Sequence, residues 1–153
     1  MSTTRAARLA VAATAVLLFW AGVAHQISKP TQPGDYRRTL IQVAATTHDA
    51  AGTGALVARQ QLSGLVFAPF AATAYDDAAS ALAGAAKKLT AQPPPDDATA
   101  AMRDQLAVLL QQAVTSLGDA TTADGDVARR AGADRLDRVA EELDRLLQQW
   151  DAA

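Results

Sequence analysis

The chain has 153 residues, half of them hydrophobic but only 5% aromatic, with a formal net charge of −2 and no cysteine. The missing cysteines exclude disulfides, thiolate metal sites, cysteine catalysis and a lipid-modified cysteine. The charge balance, about −4 once Arg5 and Arg8 are set aside, argues against a general nucleic-acid-binding surface.

Alanine makes up about a quarter of the chain and is the best intrinsic helix former. Strand-favouring residues are sparse and no stretch alternates for long between apolar and polar side chains, so the expected fold is all-α. A core rich in methyl groups removes little apolar area per residue, at about 25 cal/mol per Å². Stability must then come from close helix contacts and favourable propensity. The abundance of alanine, arginine and aspartate resembles that of a GC-rich bacterial genome.

Arg5 and Arg8 precede an uncharged run from Leu9 to Ala24. Positive charge followed by an apolar run is the physical signature of membrane targeting, with the N-terminus left on the cytoplasmic side. Extended to Ile27 the run covers residues 9–27, about 28 Å of helix, enough to cross a bilayer core. Gly22-Val23-Ala24 also offers small residues for a signal peptidase, with cleavage before His25. The expected arrangement is residues 1–27 as an uncleaved single-pass anchor with the C-terminal domain outside the cytoplasm. Secretion after cleavage following Ala24 is the alternative. Residues 28–34, with two prolines and a glycine, read as a tether.

Residues 35–150 are expected to form an up-down-up-down antiparallel four-helix bundle, followed by a short tail at 151–153. The first helix spans about Asp35–Leu62, with a thin, partly polar stripe through Tyr36, Leu40, Val43, Thr47, Ala50, Gly54, Val57 and Gln61. Ser63-Gly64 reads as its stop. The second starts near Pro69, where a missing N–H is harmless. It repeats Ala71, Tyr75, Ala78, Leu82, Ala85 and Leu89 in the four-then-three spacing of a coiled-coil seam. Pro93-Pro94-Pro95 ends it. The third is capped by Asp96 and striped by Met102, Leu106, Leu109, Ala113 and Leu117, with Gly118 expected as its C-terminal cap. The fourth follows Asp124-Gly125-Asp126 and is striped by Gly132, Leu136, Val139, Leu143, Leu146 and Trp150. Asp134 with Arg138 and Glu141 with Arg145 place opposite charges four apart on its outer face.

Two of the three phenylalanines fall in the segment Leu65-Val66-Phe67-Ala68-Pro69-Phe70, between the first two helices. If exposed, Leu65, Val66, Phe67 and Phe70 make a contact tip for a partner. The plainer expectation is that the two rings plug the open end of the bundle, because aromatic side chains usually end up buried. Arg37, Arg38, Lys87 and Lys88 fall toward the end nearest the tether, where contact with anionic headgroups competes with a solvated-charge reading. Gly52 and Gly54, costly inside a helix, are expected to allow close packing against the second helix.

No set of residues nominates itself for catalysis. A di-iron bundle needs paired Glu-x-x-His segments, whereas this chain has two glutamates, Glu141 and Glu142. His48-Asp49 reads as an exposed helical pair. Neighbouring carboxylates such as Asp76-Asp77 do not face each other on a helix, and Asp96-Asp97 is explained by capping. Asp124-Gly125-Asp126 lacks the ligands of a calcium loop. The expected function is therefore binding without catalysis or cofactor: a membrane-anchored accessory or interaction module with an unknown protein partner. Residues 9–27 supply the membrane contact, and homodimerisation through an alanine seam stays open. The alternative is a small-molecule sensor or carrier bundle, which a water-accessible cavity between helices would favour.

Overall fold

In the computed structural model of the chain, residues 32–152 are described. The anchor or signal segment expected at residues 1–27 lies outside them, as does most of the tether. Four α-helices follow in order: α1 Pro33–Leu62, α2 Ala68–Thr90, α3 Asp97–Thr121 and α4 Asp126–Asp151. There is no strand among the described residues. No helix among them is long and apolar enough to cross a membrane.

Successive helices run in opposite directions. The Tyr36 hydroxyl at the start of α1 reaches the Gln92 carbonyl just beyond α2, and the Tyr75 hydroxyl donates to Gln61 Oε1 (3.0 Å) at the other end of the pair. Arg37 donates to the Trp150 carbonyl, which joins the start of α1 to the end of α4. Each helix packs on its two neighbours around the bundle. Across the diagonals α1 also meets α3, whereas α2 and α4 do not approach each other.

That short diagonal explains α1. Besides the expected stripe, Ala44, Ala51, Ala55 and Ala58 are buried, so the buried face is wide rather than thin. Alanine and threonine look weak as a sequence stripe but let three neighbours crowd one helix. Thr47 is fully buried, and its hydroxyl is satisfied by the Val43 carbonyl (2.8 Å). Gly54 marks the tightest point. An added Cβ would lie 2.7 Å from Leu117 Cδ1 on α3 and 3.1 Å from Leu136 Cδ1 on α4. Its packing role is real, but toward α3 and α4 rather than α2. Gly52 has nothing within 4 Å of an added Cβ, and nothing in the structure explains it.

The helix ends follow local chemistry. Gly64 adopts φ +67°, with Leu65 N–H donating to Gln60 O (2.9 Å) and Gly64 N–H to Gln61 O (3.1 Å), the paired bonds of a Schellman stop. Pro69 sits in the first turn of α2, whose buried residues are Ala71, Tyr75, Ala78, Leu82, Ala85 and Leu89. Asp96 caps α3 by accepting from the Thr99 N–H (2.8 Å). Gly125, at φ +88°, precedes α4.

The expectation for α3 needs two corrections. Leu110, not Leu109, is fully in the core, and Thr99, Ser116 and Ala120 join it, while Met102 is half-buried. Thr99, held under the Asp96 cap, sets the phase of the helix, and a seam counted from there selects Leu106, Leu110, Ala113 and Leu117. Gly118 is not a cap: the helix runs on to Thr121, and Gly118 is an exposed interior position. On α4 the expected stripe is buried throughout. Glu141 and Arg145 pair at 3.5 Å, but Asp134 and Arg138 do not pair; Arg135 reaches Asp119 on α3 instead (2.9 Å).

Candidate functional site

The α1–α2 connection and the α3–α4 connection lie at one end of the bundle, opposite Gln32. This end carries bare apolar surface. Phe67 is 85% exposed, Leu65 75% and Phe70 64%, while Val66 packs partly against the core. The two rings therefore do not plug the bundle, contrary to the plainer expectation. The Schellman stop turns the chain outward after Leu62, and Pro69 starts α2 at once, so Phe67 is the helix-capping residue and Phe70 falls off the buried seam. The seam is already closed at this end by Tyr75 and Ala71 on α2 and by Ala120 and Ala133 opposite. Val127, in the first turn of α4, is 84% exposed at the same end. Sequence reasoning missed it, since a lone valine after a polar turn gives no signal.

The opposite end gathers the basic residues Arg37, Arg38, Lys87 and Lys88. Among the described residues Arg37 is engaged with the Trp150 carbonyl and Arg38 with Asp35 (2.7 Å), while the two lysines form no ion pair there. Asp96 and Asp97 stand at this end as well, so its charge is mixed. The hydrogen bonds that Asp96 accepts from the Thr99 backbone and hydroxyl hold its carboxyl below the usual carboxylate range.

A shallow charged groove on the α1–α4 side is lined by His48, Arg59, Asp137, Glu141 and Asp144. His48 Nδ1 lies 3.2 Å from Asp49, and Arg59 forms an ion pair with Asp137. Asp76 lies elsewhere, on the α2–α3 side, so His48 and the Asp76-Asp77 pair do not converge. Among the described residues no three histidine, aspartate or glutamate side chains gather as metal ligands.

An open cleft of about 560 Å³ lies between α2 and α3. Leu82 and Leu117 form its floor, and Ala79, Ala83, Val114 and Gly118 its walls. Its cause is the short α1–α3 diagonal. With no side chain at Gly54, Leu117 sinks toward α1 and takes α3 with it, leaving α2 and α3 as the most loosely joined neighbours. Small side chains on both lips leave the space unfilled. Tyr75 stands at one end, its phenol pushed above the usual tyrosine range by burial. The only sequence signals for this cleft are the glycine and alanines on the outer faces, which read as ordinary helix formers.

Protein-family models, curated proteins and solved structures were each compared with the chain, and none matches it. The tip offers rings and methyl groups to water at one end of the bundle, a surface suited to association.

Proposed function

We propose that the chain is a membrane-anchored, extracytoplasmic helical bundle that acts by binding, as an accessory or interaction module. The observation that carries this reading is the exposed apolar tip of Leu65, Phe67, Phe70 and Val127. Four large apolar side chains held in water at one end of a folded bundle are unfavourable unless something covers them, and aromatic residues of this kind anchor interfaces. Membrane attachment is supported by the order of charge and hydrophobicity in residues 5–27. Because α1 is 30 residues long, the tip stands about 45 Å along the bundle from Gln32.

The test is the double variant Phe67→Ser/Phe70→Ser, compared with the natural chain in membranes of the native host. Thermal melting should be unchanged, because neither ring is in the core, while association with the partner detected by cross-linking should fall at least tenfold. A double variant that cross-links normally sinks the reading, and one that unfolds shows the rings to be structural. Intact mass of the same preparation reports attachment. A full-length chain in the membrane fraction supports the anchor, whereas a chain beginning at His25 in the medium replaces it with a secreted bundle.

The cleft between α2 and α3 favours a second reading, a carrier or sensor of small molecules.

A further inference from the structure

The α2–α3 cleft has the size of a small-molecule site, about 560 Å³, within the roughly 300–1,000 Å³ typical of such sites. Its floor and walls are aliphatic, and its rim is not neutral. Asp76 is the one charged side chain among the described residues that line it, and its carboxylate is exposed with no ion pair. No lysine or arginine is among the residues that line the cleft; Arg129, whose charge acts on Tyr75 at one end of it, is engaged by Asp126 (3.5 Å) and the Ala123 carbonyl (3.3 Å), whereas Asp76 stands on the rim with no such partner. Gln111, Thr121 and Thr122 add neutral hydrogen-bonding groups along the opposite lip.

We propose that this cleft binds a small cationic amphiphile, its apolar body lying on Leu82 and Leu117 and its ammonium group at the Asp76 carboxylate. The proposal rests on the carrier reading and is independent of the tip. Apolar burial supplies most of the affinity, and the exposed carboxylate selects the sign of the head group, since an ion pair at a solvated rim is weak. Gly118 keeps the lip open: it is exposed, inside a helix, and an added Cβ there meets nothing within 4 Å.

The experiment uses the full chain in phosphatidylcholine nanodiscs, titrated with three fluorescent probes of one shape: naphthylmethylamine, naphthylmethanol and naphthylacetate. Empty discs provide the partitioning background. Saturable binding is expected, with the amine about two- to fivefold tighter than the alcohol and the acetate weakest. Asp76→Asn should bring the amine to the level of the alcohol and leave the alcohol unchanged. Gly118→Leu should fill the cleft and remove binding of all three, with helicity and melting retained because leucine is the better helix former. Amine binding that survives Gly118→Leu, or a cation preference that survives Asp76→Asn, overturns the proposal. If the alcohol binds in the cleft without any preference for the amine, the ligand class fails and the carrier reading stands. If no probe binds saturably, both fall.

Discussion

Gly52 and Gly54 lie two residues apart on α1 and make opposite demands. A methyl group at Gly52 meets nothing, so Gly52→Ala should stabilise the chain by about 0.5–1 kcal/mol through helix propensity alone. At Gly54 the same gain is opposed by two leucine methyl groups whose side chains are themselves buried, and overpacking of this kind costs about 1–3 kcal/mol. Gly54→Ala should therefore be destabilising by about 1 kcal/mol net. Gly132→Ala should be worse, about 2 kcal/mol, because the added carbon meets the Ala120 backbone at 3.0 Å and backbone cannot rotate away. Melting of the three variants, followed by circular dichroism, orders them; equal effects at 52 and 54 would remove the short diagonal from the account. In the sequence the two glycines are indistinguishable, since both interrupt an alanine-rich helix and neither carries a sign of what faces it.

Among the elements, α3 depends most on its cap. Asp96 Oδ1 accepts from both the backbone N–H and the hydroxyl of Thr99, each at 2.8 Å, and these bonds favour the ionised carboxyl. Its folded pKa is lowered, so the stabilisation is fully present above the unfolded value, about 4, and is lost as pH falls through the lower folded value. Melting temperature should thus decline on acidification below about pH 4, and Asp96→Asn, which keeps an acceptor but cannot titrate, should flatten that part of the profile. An identical acid decline in Asp96→Asn would assign it to other carboxylates. This cap was legible from the sequence, as were the Gly64 stop and the seam of α2, because each depends on residues within one turn. The end of α3 was not. Gly118 has the composition of a cap, yet Ala120 is held against Gly132 by tertiary packing, and that contact carries the helix one turn further.

Among the described residues, α1 and α3 span the short diagonal of the bundle, and each of them touches the other three helices. Every core side chain among the described residues lies between Tyr36 and Trp150, and residues from Gln32 onward form a compact unit by themselves. A chain beginning at Gln32 should therefore fold alone, with helical circular dichroism and a single cooperative melt. A broad, non-cooperative transition would mean that the preceding residues take part in the core. Such a fragment would keep both candidate sites, the apolar tip and the α2–α3 cleft.

What the amino-acid order determined by itself is whatever depends on near neighbours: four helices, their ends at Gly64, Pro69, Asp96 and Gly125, and the buried seams of α2 and α4. Periodicity and capping act over three or four residues, and alanine leaves little competition from strands. Only the tertiary structure decided that Phe67 and Phe70 face water, that α1 is buried on a wide face, and that α2 and α3 part to leave a cleft. Those outcomes depend on how far two helix axes can approach, and that distance is set by pairs such as Gly54 with Leu117 and Gly132 with Ala120, whose members are remote in sequence. A hydrophobic ring in a loop is buried only if the bundle end has room for it, and here Tyr75 and the alanines of the seam have already filled that end.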